Sequence, residues 1–335
     1  METVPVIGVT MGDFNGVAPE VILKAFSNYD KLHKGKFIVI GSAFVINSVS
    51  EALKLPVTLR QIKDITEIKY STDNLFILDL FDNQELPIEY GKITREAGEA
   101  AAISLEYAIE NANKKLLDAV VTGPVSKYAL SLAGRNYPGQ TEMFAELTHS
   151  NNFAMILMSG TFRVGLVTTH CAITDVAGKL SIGTIYNKIK IIYLSLVNDF
   201  KINNPEIAVT SLNPHGGEDG MFGDEEIIYI KPAIEQAKNE GMKVSGPFPA
   251  DTLFAAIKEN RYDAYLVMYH DQGLIPLKMK SFGEGVNFTA GLPFIRVSPD
   301  HGTAFDISGK WIANEKSMKE AINIGIELAQ KRKIC

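Results

Sequence analysis

Residues 262–278 read YDAYLVMYHDQGLIPLK, an apolar run that ends abruptly in His270, Asp271, Gln272 and Gly273. A run that is apolar throughout, rather than alternating, suits a strand covered on both faces of its sheet. Two other runs behave the same way: FRVGLVTTH (162–170) ends at His170, and PEIAVTSLNPH (205–215) ends at His215. The chain has six histidines, so half of them close runs of this kind. Parallel sheets bind ligands outside the carboxyl ends of their strands, which makes these three endings candidate functional positions.

Working outward, short apolar runs alternate with longer helical patterns. PVIGVT (5–10), KFIVIG (36–41), NLFILDL (74–80) and DAVVTG (118–123) read as strands bounded by Gly, Asp or Asn. MILMSG (155–160), RVGLVTT (163–169), EIAVTSL (206–212) and AYLVMY (264–269) continue the series. The spacing predicts helices over 18–28, with a proline near its start, and over 94–115, where Thr94 stands as the N-cap. Three more are expected over 182–200, 224–241 and 315–333. The alternation argues for an α/β protein with a largely parallel sheet. Thr122-Gly123-Pro124 and the loop MGDFNGVAPE (11–20) also follow strand ends, so several polar loops are expected to converge on one edge.

Composition bounds the rest. At 335 residues, 46% hydrophobic and 21% charged, the chain is a folded globular protein long enough for two ordinary domains. A net charge of -6 and a pI near 5.6 argue against a nucleic-acid surface. The one basic cluster, Lys331 to Lys333, reads as the end of a helix. The opening METVPVIGVTMGD lacks a basic leader followed by a long apolar core, and no run reaches about eighteen apolar residues. With two cysteines, Cys171 and Cys335, no disulfide framework is expected; the reading is a reduced, cytoplasmic protein in which Cys171, beside His170, is a small buried thiol in preference to a metal ligand or nucleophile.

The residues leave more than one chemistry open. Neutral imidazoles at 170, 215 and 270 suit Zn, Co, Ni or Fe with an open coordination position. Three separate structural histidines closing strand ends would look the same in sequence. The chain has neither a GxxxxGK[ST] loop nor a GxGxxG after its first strand, so an anion would need isolated cations. Lys127, Lys278 and Arg296 sit in loop-like contexts, where each reads equally as a solvated surface charge. Gly302 and Gly309 in SPDHGTAFDISGK (298–310) suit a close approach of backbone to ligand, or an ordinary turn.

MGDFNGVAPE, VTGPVSK (121–127), PGQTEMFAE (138–146), VTTHCAITDV (167–176), LNPHGGEDGMFGDEE (212–226), GPFPADTLF (246–254), YDAYLVMYHDQGLIPLK, GEGVNFTAGLPFIR (283–296) and SPDHGTAFDISGK together resemble the 4-hydroxythreonine-4-phosphate dehydrogenase family of pyridoxal phosphate biosynthesis. The segments run in the family's order over residues 11–310; LNPHGGE, MYHDQG and DHGTA carry most of the specificity. The resemblance implies oxidation of 4-phosphohydroxy-L-threonine by NAD or NADP to 2-amino-3-oxo-4-phosphooxybutanoate, which loses carbon dioxide to give 3-amino-2-oxopropyl phosphate.

It further implies that His170, His215 and His270 hold a divalent metal (Zn, Co or Mg), with the ligand at the His270 position supplied by the neighbouring subunit of a homodimer. Substrate contacts map onto Gln140, Thr141, Lys278, Asn287 and Arg296, with Lys278 and His215 in catalytic roles. The dinucleotide is expected along Asp300, His301, Gly302, Thr303 and Ala304. That loop is similar to the cofactor loop of isopropylmalate dehydrogenases, which bind NAD without a GxGxxG. The same similarity implies a two-domain fold with the active-site cleft between domains, the first comprising 1–128 and 280–335, the second 129–279.

The sequence departs from the family at Gln140, where a histidine is usual, and at GDFNG, where GDPAG is common. Gln donates and accepts but carries no charge and shuttles no proton at neutral pH. Two other functions remain open in the sequence: a sister dehydrogenase of 4-phospho-D-erythronate or 4-phospho-D-threonate, and a non-catalytic binder of a phosphorylated metabolite. No nucleic-acid or membrane partner is expected.

Overall fold

Six strands lie parallel in the order β3 (Thr58–Ile62), β4 (Asn74–Asp79), β2 (Lys36–Gly41), β1 (Val6–Thr10), β5 (Ala119–Thr122) and β12 (Ile295–Pro299). They come from a computed structural model that describes residues 4–27, 34–71, 74–255, 261–281 and 283–333. Contacts divide the chain into two units, Met1–Ser150 with Leu292–Cys335, and Asn151–Gly291. Cys335 lies outside the described residues.

In the first unit the strands β1, β2 and β5 are buried along nearly their whole length, as their unbroken apolar runs require. Helices α1 (Ala18–Ser27), α2 (Ala43–Leu53), α3 (Arg95–Asn113), α4 (Lys127–Leu132), α5 (Gln140–Leu147) and α11 (Lys316–Lys333) belong with this sheet. Thr94 caps α3 as expected, its hydroxyl accepting from the Ala97 N–H at 3.2 Å; Ser126 caps α4 in the same way. Ile38, Ile40, Phe76, Leu78, Leu105, Val120, Phe144 and Phe294 build one core.

The second unit has the order β11 (Val286–Ala290), β6 (Ala154–Ser159), β7 (Phe162–Leu166), β10 (Ala264–Val267), β8 (Glu206–Thr210) and β9 (Lys243–Phe248). β11, β6 and β7 pair antiparallel, and the remaining neighbours pair parallel. Its helices are α6 (Val176–Lys179), α7 (Ile182–Asn198), α8 (Lys231–Asn239), α9 (Ala250–Ala255) and α10 (His270–Ser281). Leu157, Phe162, Val164, Leu166, Tyr265, Val267, Leu274 and Leu277 form its core.

Several expectations change. His270 does not lie in a loop after its strand; it is the first residue of α10, which continues through Gly273 and Pro276. Those two residues are poor helix formers, and tertiary packing overrides them: Leu274 and Leu277 are buried, and a Cβ on Gly273 would stand 2.4 Å from Val164. The loop-like reading of Lys127, Lys278 and Arg296 is corrected: they sit in α4, α10 and β12, and Arg296 is 2% exposed. MILMSG and RVGLVTT form a hairpin through Gly160, whose φ of +55° a glycine adopts without strain. The pattern over 224–241 splits into a π-helical turn, Glu226–Ile230, and α8, because Pro232 cannot donate to the preceding turn. Cys171 is half-buried rather than buried. The contact units divide at 150/151 and 291/292, and Phe144 of α5 packs with Leu292 and Phe294 in the first unit's core.

Candidate active site

The three histidines follow the carboxyl ends of adjacent parallel strands in the second unit. His170 follows β7, His270 follows β10 and His215 follows β8, and the sheet order runs β7-β10-β8. Side chains bind these loops to one another. Thr168 donates from its hydroxyl to the Met268 carbonyl at 2.7 Å, tying the His170 loop to the end of β10. Gln272, in the first turn of α10, ties that end to the His215 loop: its Oε1 accepts from the Met268 N–H and the Thr210 hydroxyl, both at 2.8 Å, and its Nε2 donates to the Ser211 carbonyl at 2.7 Å.

The rings of His170 and His270 stand 5.8 Å apart, centre to centre. The Asp271 carboxylate lies 2.7 Å from Nδ1 of His270, which orients the ring and leaves Nε2 available to a ligand. Two imidazoles this close match a divalent metal in donor chemistry. Both rings line a cavity of about 350 Å³ with Thr169, Cys171, Tyr269 and Asp271. His215 is exposed, with its ring 6.4 Å from that of Phe222. Among the described residues, no group of three His, Cys, Asp or Glu is arranged around one metal position. One chain therefore brings two of the candidate imidazoles together and not the third.

Lys278 lies on α10, two turns beyond His270, and is exposed. Asn287 is half-buried on β11, and its Oδ1 is buried without a hydrogen-bond partner. A buried orphan acceptor of this kind is a position that a ligand donor can satisfy.

In the first unit Arg296 organises a second constellation. Its Nη2 donates to the Thr122 hydroxyl and to Gln140 Oε1, both at 2.8 Å, and its Nη1 donates to the Thr141 hydroxyl at 3.3 Å. Gln140 in turn donates from Nε2 to the Gly123 carbonyl at 3.1 Å. Burial pushes the guanidinium down to about 10, and nearby Glu142 opposes that fall, so it stays protonated at neutral pH.

The loops after β1, β5 and β12 meet there as the parallel order requires. The Asp13 N–H donates to the Pro124 carbonyl, and the Val17 N–H donates to the Thr303 carbonyl, both at 2.9 Å. Burial raises the Asp13 carboxyl to about 6, outweighing the Asn15, Ser126 and Gly16 amides that pull it down. Asn15 N–H reaches Asp13 Oδ1 at 3.0 Å, while Oδ2 is buried and makes no hydrogen bond. Among the cofactor-loop candidates, Asp300 is held by the Ser317 hydroxyl, and Ala304 has a left-handed φ of 45°. His301 Nδ1 lies 3.0 Å from the Gly302 carbonyl, and its Nε2 is buried without a partner. Gly302 is exposed, and Thr303 is held through its carbonyl by Val17.

The family model for the pyridoxal phosphate biosynthetic protein PdxA matches residues 33–325. The chain belongs to this family. A D-threonate 4-phosphate dehydrogenase of Salmonella typhimurium is 42% identical, covering 98% of this chain and 100% of the relative. A 4-hydroxythreonine-4-phosphate dehydrogenase of Bacteroides thetaiotaomicron is 40% identical, covering 97% of this chain and 89% of the relative. The crystal structure of a 4-hydroxythreonine-4-phosphate dehydrogenase from Klebsiella pneumoniae superposes with a TM-score of 0.88 at 38% identity, covering 98% of this chain and 99% of that one.

This PdxA-family chain is thus a dehydrogenase, an oxidoreductase with the α/β architecture of the isopropylmalate dehydrogenase type. Among the described residues no helix is long and apolar enough to cross a membrane. Sequence reasoning missed Thr168 and Glu226 as supports of the candidate site, and it placed Thr122 and Gln272 at strand ends without their partners; only three-dimensional pairing shows what each one holds.

Proposed function

We propose that this chain oxidises the secondary alcohol of a small 4-phosphorylated hydroxy acid, using NAD or NADP and a divalent metal ion (zinc, cobalt or magnesium). Its first substrate is 4-phosphohydroxy-L-threonine, in pyridoxal 5'-phosphate biosynthesis, and the 3-oxo acid formed loses carbon dioxide to give 3-amino-2-oxopropyl phosphate. The observation that carries this reading is the buried Arg296, whose guanidinium Thr122 and Gln140 hold in one orientation. A fixed planar fork recognises a phosphate in a way that a flexible lysine cannot. Thr141 adds a hydroxyl to the same grip, and Gln140 adds a neutral amide.

His170, His215 and His270 are the metal ligands in this reading, with the set completed between two copies in a homodimer. Support for a second copy comes from α10, which begins at His270 and presents Ile275 at 60% and Met279 at 74% exposure. When bound, the metal would supply Lewis-acid polarisation at an alcohol oxygen, and the dinucleotide would supply the hydride acceptor. Lys278 orients the substrate and moves a proton at its ammonium; Asn287 Oδ1 accepts a substrate donor. Asp300, His301, Gly302, Thr303 and Ala304 bind the dinucleotide, with His301 Nε2 and the Gly302 backbone as contacts.

A second reading has 4-phospho-D-threonate or 4-phospho-D-erythronate as the substrate, and the 42% identical Salmonella relative favours it. Formation of reduced nicotinamide from each of the three phosphorylated acids, with and without a chelator, separates the two. Chelator-sensitive turnover of the amino acid supports the first reading, and turnover of a sugar acid alone supports the second. Metal-independent turnover would remove the metal from the mechanism.

A further inference from the structure

The turn that carries His215 is held from outside by a carboxylate that none of the proposed chemistry uses. From His215 to Asp219 five consecutive residues have positive φ: 54°, 68°, 81°, 45° and 52°. Three of them, His215, Glu218 and Asp219, are not glycine, so the turn is costly in itself and needs support. Glu226 supplies it. Glu226 is fully buried, and its Oε1 accepts from the Leu212 and Asn213 backbone N–H groups at 2.7 and 2.8 Å.

The other oxygen of Glu226, Oε2, accepts from Asn213 Nδ2 at 2.9 Å, and Glu225 Oε2 accepts from the same amide at 2.6 Å. The Gly216 N–H closes the turn on the Asn213 carbonyl at 3.2 Å. A Cβ on Gly217 would stand 2.8 Å from both Glu226 Oε2 and the Gly223 carbonyl, so the turn lies close against the carboxylate. Glu226 opens the π-helical turn Glu226–Ile230, a local widening frequent at functional sites.

We propose that Glu226 is a positioning residue for His215, acting through Asn213 to hold the imidazole where it ligates a divalent metal. The proposal rests on the reading of His215 as a metal ligand. A buried carboxylate that receives three hydrogen bonds from the two residues just before Pro214-His215 fixes their backbone. Supports of metal ligands commonly change affinity by about 10–100-fold when removed.

The test titrates the full-length, metal-free protein with Co²⁺ and records both the dissociation constant and the visible absorption of the bound ion, beside melting curves that establish folding. Wild type is expected to bind Co²⁺ and His215→Ala to lose that binding. Glu226→Ala is expected to weaken it about 10–100-fold and to change the absorption bands. Glu226→Gln, which keeps an acceptor for the two backbone amides but sets a donor against Asn213, falls between. Glu226→Gln serves if Glu226→Ala does not fold. Wild-type affinity and absorption in the folded Glu226 variants, with His215→Ala still defective, would overturn the positioning role alone. No Co²⁺ binding by wild type, or unaltered binding by His215→Ala, would overturn the metal reading and this proposal with it.

Discussion

Gln140 accepts from Arg296 Nη2 at 2.8 Å and donates to the Gly123 carbonyl at 3.1 Å, so a neutral amide sits between a buried cation and a backbone acceptor. Its two ends match its two neighbours without any change of protonation. Histidine at this position could reproduce both bonds only while neutral; the imidazolium has two donors and would face the guanidinium. Gln140→His is therefore expected to raise KM for the phosphorylated substrate as pH falls through the imidazole pKa, with no such limb in the wild type. Gln140→Leu removes both bonds and is expected to raise KM about fivefold at every pH, from a loss of about 1 kcal/mol. KM against pH for the three proteins checks this, and superimposable profiles would remove Gln140 from the grip.

Arg296→Lys keeps the charge and loses the fork. One ammonium cannot face Thr122, Thr141 and Gln140 together in the positions the guanidinium occupies. Charged hydrogen bonds contribute about 1.5–3 kcal/mol each, so losing one lowers kcat/KM by about tenfold to a hundredfold. Steady-state kinetics with the phosphorylated acid, alongside dinucleotide affinity, provide the test. A variant with unchanged kcat/KM would mean that the phosphate binds elsewhere.

These two residues also show where sequence reading reached and where it stopped. Gln140, Thr141 and Arg296 were legible as site candidates through their motifs, but Arg296 looked like a loop cation. IRVSP is a short strand with a charge at its second residue, and only its place beside β5 makes that charge buried. The helices over 94–115 and 315–333 were legible from their period and, for the first, its Thr94 cap. Helix α10 was not, because Gly273 and Pro276 carry the opposite local signal. The histidines stood out by recurring at the ends of apolar runs. Their order in space, β7-β10-β8, depends on chain crossovers that no local pattern encodes.

Asp13 gives a stability prediction with a definite sign. Burial raises its carboxyl from 3.8 to about 6 in the folded protein. The folded state therefore holds the proton more tightly than the unfolded state does. The contribution favours folding below about pH 4 and is lost as pH rises through about 6. At about 1.4 kcal/mol per unit, the ionised carboxylate costs on the order of 3 kcal/mol at pH 8. Asp13→Asn keeps an oxygen for the Asn15 N–H and is expected to melt higher than wild type at pH 8, with the advantage gone near pH 4. Equal melting temperatures at pH 8 would show that Asp13 ionises without penalty.

Lys24 is a structural anchor on α1. Its Nζ donates to Glu20 Oε1 at 2.7 Å and to the Trp311 and Ala313 carbonyls at 3.0 and 2.9 Å. Glu20, 2% exposed, also accepts from the Ala313 N–H at 2.8 Å. The pair thus fastens residues 311–313, which follow the proposed cofactor loop, onto the helix after β1. Lys24→Met leaves a buried carboxylate uncompensated, and breaking such a pair from one side costs about 3 kcal/mol. The double variant Glu20→Gln with Lys24→Met removes the charge as well and is expected to recover part of that loss. Denaturant unfolding of the single and double variants measures the coupling. Exchange of the Ala313 amide proton reads the local consequence, faster in Lys24→Met than in wild type. Additive losses with unchanged exchange at Ala313 would mean that the two side chains act independently and do not hold the segment.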